Sequence, residues 1–217
     1  MTFPGQRPLL RPMPDEWIDH VLSADYDIYP SSLEPETLKS WVRVSSAFTM
    51  QYIHPSAPEE VVGVCIMIPA LSMWWKDIIN GKIHEWEITP GMLWHRGHSK
   101  ADVGIHIWHI ERYPGWERRW GGFGKYIWHD VQEAIRKEHR MNVIGYSALA
   151  VTSDGIRLFQ NGMGWTGNPD YEGQWVVENV QTRERKIIDK RDWVGMDAWK
   201  IVGDCKMLVK MENPRMH

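Results

Sequence analysis

Cysteine is scarce. The 217-residue chain has two, Cys65 and Cys205, and no CxxC pair. That pattern gives no support for a disulfide and fits a reducing compartment. Cys65 lies in the apolar run 61–68 and reads as a core thiol. An excess of basic residues is missing too. Twenty-five Lys and Arg stand against 28 Asp and Glu, for a net charge of −3, so no general nucleic-acid-binding surface is indicated, while a local basic patch stays open. No stretch of about 18 apolar residues occurs, the length a membrane-spanning helix needs. The proline-rich opening MTFPGQRPLLRPMPDEW has no apolar leader segment. The expectation is a cytoplasmic protein without a membrane or nucleic-acid partner.

The chain does have the length and apolar content of one good-sized core. No internal repeat, low-complexity segment or linker interrupts it, so a single domain is expected over 1–217, with an insertion at about 69–100 and a C-terminal extension at about 181–217. Fourteen tryptophans are unusual, and Trp74, Trp75, Trp86, Trp94, Trp108, Trp116, Trp120 and Trp128 lie close together in sequence. Packing explains most of them; the alternative is an aromatic-walled pocket for an apolar or planar substrate.

Helical and strand patterns follow one another as in an α/β protein with a mixed sheet. Residues 9–11 read as a strand halted by Pro12 and Pro14; Asp15 fits an N-cap, with an apolar face at Trp17, Ile18, Val21 and Leu22 behind it. A second helix is expected over 33–44 and a strand over 48–53. The strand at 61–68 is apolar on both faces, hence central. The insertion carries one short helix at 73–79. Strand 103–110 then leads toward Arg119-Trp120-Gly121-Gly122-Phe123-Gly124, behind which Ile127, Val131, Ala134 and Ile135 are spaced as one helix face. Further on come a strand at 142–151, a helix at 154–161 capped by Ser153, and strands at 174–180, 186–189 and 207–211.

A strand that runs into a glycine-rich loop opening a helix is an anion site. Helix-start N–H groups lack intrahelical partners, the dipole favours negative charge there, and glycine admits a phosphate close to the backbone. A dinucleotide fingerprint would need a third glycine, but Gly124 is followed by Lys125-Tyr126-Ile127. A P-loop would need Gly-Lys-Ser/Thr, and Tyr126 replaces the magnesium-holding hydroxyl. What remains is Arg119-x-x-Gly122-x-Gly124. It resembles the pyrophosphate loop of the Gcn5-related N-acetyltransferase superfamily. Leu10-Arg11-Pro12 before a helix is similar to that family's opening. The order of elements around the loop is similar, and Gly155-Ile156-Arg157-Leu158-Phe159 with Gly164-Trp165 resembles its closing helix. The resemblance covers roughly residues 8–180.

What the resemblance implies is a fold whose two central strands splay apart around the pantetheine arm of acetyl-CoA. The cofactor-binding residues would be Ile110, Arg119, Trp120, Gly121, Gly122, Phe123, Gly124, Lys125, Ser153 and Phe159, with Arg118 near the phosphates. A neutral amine would attack the thioester directly. Glu111 or His109 would serve as base. The family's tyrosine acid is replaced by Phe159, leaving Tyr146, Ser153, water or an unassisted thiolate. Tyr26, Asp27 and Tyr29 in the loop after the first helix, with Trp108, would face the acceptor. A small-molecule amine is the expected partner. A protein or peptide amine, and a non-catalytic acyl-CoA-binding module, are the alternatives, and a homodimer is compatible with the sequence. His95-x-x-His98 and His106-x-x-His109 lack the three or four converging ligands of a metal site, and i and i+3 on a strand point to opposite faces, so no metal is expected.

Overall fold

The structure is a computed structural model, and it describes residues 7–25, 33–116, 122–171, 173–193 and 197–212. In chain order its elements begin with β1 (Leu9–Pro12), a 3-10 turn at Asp15–Trp17 running into α1 (Ile18–Asp25), α2 (Pro35–Val44), β2 (Thr49–His54), β3 (Ala57–Leu71) and α3 (Ser72–Ile79). Then come β4 (Ala101–Arg112), α4 (Phe123–Lys137), β5 (Met141–Ala150) and α5 (Ser153–Arg157), which continues as one π-helical turn at Leu158–Gly162. The rest is β6 (Thr166–Gly167), β7 (Gln174–Asn179), β8 (Arg185–Asp189), β9 (Trp199–Asp204) and β10 (Lys206–Met211).

Seven strands form one sheet in the order β1-β2-β3-β4-β5-β10-β6, and β8-β7-β9 form a second. Every neighbouring pair of the large sheet is antiparallel except β4–β5, which is parallel with α4 as its crossover. β3 is central, as its two-faced apolar run requires. On one face Ile18, Val21, Leu38 and Trp41 pack with Val64, Ile66 and Ile68. On the other, Ile127 and Val131 of α4 pack with Val103, Ile105 and Ile107. Pro35 opens α2, where its missing N–H costs nothing.

Three expectations need adjustment. The insertion is less irregular than its composition suggests, because β3 runs on to Leu71 and passes directly into α3. Thr152, not Ser153, caps α5: its Oγ1 accepts from the Gly155 N–H at 3.0 Å. The expected helix at 154–161 is α-helical for five residues only. The C-terminal part does two things. β10 enters the large sheet beside β5, and residues 168–205 leave and rejoin it at the rungs Leu208–Gly167 and Val209–Thr166. β9 was not among the expected strands; Ile201 and Val202 on it are both exposed. Cys65 and Cys205 are free thiols in cores on opposite faces of the large sheet. Burial pushes the Cys65 thiol up, well away from thiolate chemistry. Among the described residues, no helix is long and apolar enough to cross a membrane.

The small sheet is tied by a charge cluster. Glu178 on β7 accepts from Arg183 at 2.9 Å, Arg185 at 3.1 Å and Lys200 at 3.2 Å. Arg183 foremost, then Lys200 and Arg185, hold its carboxyl down to about 2. A carboxyl depressed on folding stabilises the fold above its unfolded pKa, and that contribution disappears as pH falls toward the folded value. The small sheet is therefore expected to loosen between about pH 4 and pH 2. Circular dichroism of the native protein and of Glu178→Gln checks this: the variant should lose that part of the acid transition, and identical acid profiles would contradict it.

Candidate active site at the β4–β5 fork

The parallel β4–β5 pairing runs from Ala101–Met141 to Ile107–Ala148 and stops there. Beyond that rung the strands part. The gap is a cavity of about 90 Å³ lined by Ile107–Ile110 on one side, Leu149–Thr152 on the other, and Gly155, Leu158 and Phe159 from the α5 segment. Its walls are largely apolar, with strand backbone along both edges. A slim chain bearing amides fits such a cleft; a bulky rigid ligand does not.

β4 has a bulge at the mouth of this fork. His109 pairs with Ile66 and Ile107 with Met67, so Trp108 has no partner on β3. The bulge resets the alternation of side chains. His106, Trp108, His109 and Glu111 therefore share the face that carries α1 and α2, because Ile66 and Val64 opposite His109 and Glu111 belong to that core. The two-face expectation for His106 and His109 is corrected by this one residue. Among the described residues there is no group of three His, Cys, Asp or Glu side chains arranged to hold a metal ion.

Glu111 Oε2 lies 3.4 Å from His109 Nε2, with the His109 side chain buried and that of Glu111 19% exposed. A carboxylate with one edge in solvent and the other on an imidazole can accept a proton and pass it outward. Tyr113, the next residue on this side, accepts from Trp17 Nε1 at 3.0 Å, and His20 packs edge-on to the Tyr113 ring. Trp17 and His20 thus gather around Tyr113, two residues beyond Glu111. Trp75 and Trp94 are core residues, and Trp108 packs edge-on against Trp41 while also lining the cavity.

α4 starts at the far side of the fork. Gly122 is its N-cap in the left-handed region (φ 79°), and among the described residues no side chain caps this helix start. Phe123 is an anchor: its ring packs 6.2 Å from Tyr52 and beneath Arg112, and a Cβ on Gly63 would approach it to 3.1 Å. Gly124 has a packing role as well as a backbone one, since a Cβ there would collide with Leu158 of the cavity wall. Lys125 is exposed on the first turn. Arg118, Arg119, Trp120 and Gly121, like Tyr26, Asp27 and Tyr29, lie outside the described residues.

The structure separates the acid candidates. Phe159 lines the cavity and packs at a tilt against Trp165, with ring centroids 4.7 Å apart. Tyr146 pairs with Ile105, below the fork, and packs between Trp128 and Trp165 in the α4-side core. It thus sits on the opposite face from Glu111 and His109 and is not brought together with them. Ser153 is exposed at the start of α5, beside the cavity residue Thr152. Sequence reasoning missed Thr152, although Thr three residues before Gly155 is a capping signal. It also missed His106 and Ser147 as neighbours at the fork, 41 residues apart with no local pattern between them.

No protein-family model and no curated protein matches the chain. Solved structures do. Arabidopsis thaliana NAA60 in complex with acetyl-CoA is 12% identical, with 95% of this chain and 100% of that one covered at a TM-score of 0.55. YncA of Salmonella typhimurium, a putative acetyltransferase with its cofactor acetyl-CoA, is 9% identical over 98% of both chains at 0.51. Arabidopsis thaliana Naa50 with the bisubstrate analogue CoA-Ac-MVNAL is 11% identical, covering 94% of this chain and 98% of that one at 0.51. The chain has the Gcn5-related N-acetyltransferase fold.

Proposed function

We propose that the chain is an acetyl-CoA-dependent N-acetyltransferase acting on a primary amine, with a small molecule as acceptor. The observation that carries this reading is the fork itself: an apolar cleft between the ends of β4 and β5, with an uncapped helix start at Gly122 on one side and the Glu111–His109 pair on the other. The cleft would take the pantetheine arm along Ile107–Ile110 and Leu149–Val151, and the N–H groups from Gly122 to Gly124, ahead of the Lys125 N–H that closes on Gly122 O, would face the pyrophosphate, with the Lys125 side chain beside it. Arg119 to Gly121 are proposed for the same role.

When bound, acetyl-CoA supplies an activated acyl carbonyl. The chain's task is to deliver a neutral amine to it. Glu111 accepts a proton from the ammonium, directly or through a water, and His109 holds the carboxylate in place. The amine nitrogen bonds to the carbonyl carbon, the carbon–sulfur bond breaks, and the second proton shed by the nitrogen passes to the departing thiolate or, through water, to solvent. A thiol of ordinary pKa near 8.5 leaves as a thiolate without full protonation, which suits a cleft with Phe159 where an acid would stand. No proton-transfer role is given to Tyr146. Trp17, His20 and Tyr113 form the acceptor wall beside Glu111.

A peptide amine is the second reading, favoured by the peptide-bearing analogue held by Naa50. Calorimetric titration with acetyl-CoA followed by a thiol-release assay tests the proposal. Saturable binding, and CoA release that depends on an added amine, are expected. Small aromatic amines outpacing free peptide N-termini supports the first acceptor class, and the reverse order the second. Absence of binding at about 1 mM, the upper end of typical KM values, would remove the acetyl-CoA assignment.

A further inference from the structure

The α1–α2 face of the sheet carries a buried chain of polar groups that acyl transfer leaves without a task. Trp75 Nε1 donates to Ser147 Oγ at 2.8 Å, and Ser147 Oγ lies 2.9 Å from His106 Nδ1. His106 Nε2 lies 2.7 Å from Glu85 Oε1. Trp75, His106 and Ser147 have no exposed surface, and Glu85 is 8% exposed. Serine, histidine and glutamate in this order have the make-up of a hydrolytic triad. A nucleophilic serine must reach substrate, however, and Ser147 Oγ is closed off and already accepts the indole N–H. One proton assignment satisfies the whole chain. The indole donates to Oγ, the serine hydroxyl donates to Nδ1, and the Nε2–H goes to Glu85.

The position of the chain gives its role. His106 on β4 and Ser147 on β5 are register partners, one rung behind Ile107–Ala148, where the strands part. Two rungs further back Gly104 faces Gly145, and the Trp75 indole lies across both. A Cβ on Gly104 would fall inside the ring, and one on Gly145 would come within 2.6 Å of its Cη2. Trp75 belongs to α3 and Glu85 to the turn Glu85–Glu87, so both outer members come from the insertion between β3 and β4. A flat ring bridges the strand pair, a hydrogen-bonded rung ties it in front, and the insertion holds both ends.

We propose that Trp75, Ser147, His106 and Glu85 form a clamp that fixes where β4 and β5 separate, and so sets the spacing of the cleft walls at Trp108–Ile110 and Leu149–Val151. They touch no substrate; they are positioning residues, and the inference rests on the acyl-transfer reading for its effect on rate. Removing the serine hydroxyl breaks both the indole and the imidazole links at once. A misplacement of about 1 Å at a reacting group costs on the order of 100-fold in rate, so a partial loosening is expected to cost about tenfold.

Ser147→Ala and Trp75→Phe, which keeps a ring over the glycines and loses the N–H, are compared with the native protein by two readouts. The first is amide hydrogen exchange without ligand. Exchange at 105–107 and 146–148 should speed up about tenfold while β2 and the α2 core stay unchanged. The second is kinetic: kcat should fall about tenfold while the CoA dissociation constant rises by less than that, because the pantetheine walls loosen but the helix-start cradle is untouched. Unchanged exchange at those rungs in both variants overturns the clamp, as does faster exchange throughout the sheet. An unchanged kcat with locally faster exchange overturns the positioning role. If the native protein binds no CoA, the acyl-transfer reading fails, and the exchange comparison alone decides the clamp.

Discussion

Glu111→Gln is expected to lower kcat/KM by about 100-fold, equivalent to about 2.7 kcal/mol of transition-state stabilisation, while leaving CoA binding unchanged. Glutamine has the size of glutamate and can still meet His109 Nε2, so the local packing survives. What it cannot do is take a proton. The cleft and the helix start lie on other side chains, which is why donor affinity should stay constant. The variant's rate should also recover as pH approaches the acceptor's own ammonium pKa, because free amine then forms without help. Initial rates across pH, with calorimetric binding alongside, check both parts. A rate that stays within about threefold of native at every pH would remove Glu111 as the base. His109 would then be the remaining candidate on that face.

Gly104→Ala should have the largest effect on stability of the glycine-to-alanine changes at the described glycines. The added carbon would overlap the Trp75 indole, which is fully buried, and the ring cannot retreat, because Gly145 lies beneath its other end with Lys210 O behind it. Overpacking against a rigid ring costs about 3 kcal/mol, and in a chain of this length that corresponds to a fall in Tm of about 6–12 °C. Gly167→Ala is the control, since a Cβ there meets nothing within 4 Å. Thermal unfolding of the two variants gives the answer. A Gly104→Ala transition within about 2 °C of native would mean that the indole does not lie across the strands.

The sequence was most readable where a pattern is local. α4 has its apolar stripe at Ile127 and Val131, and β3 is central, both as their spacing requires. The glycines ahead of α4 marked the start of a helix with no side-chain cap. Legibility ends where a feature depends on what lies opposite. The bulge at Trp108 is defined by the register with β3, and nothing within β4 announces it. Packing was the expectation for most of the tryptophans, and the core does claim Trp75 and Trp94, but their order in the chain does not say which rings are core. The clamp joins residues 72, 41 and 21 positions apart. Each member is unremarkable alone, and only the parallel pairing of β4 with β5 brings them together.

The bulge on β4 has a consequence for how this site can change over generations. Strand side chains obey a parity rule, and a bulge absorbs one supernumerary residue without disturbing the pairing on either side of it. Removing Trp108 would leave His109, Ile110 and Glu111 opposite Ile66, Cys65 and Val64, on the faces they now have, while taking away the indole that packs on Trp41 and lines the cleft. The site of the carboxylate is therefore set by its partner on β3, and the cleft wall can change in length at position 108 while Glu111 keeps its place.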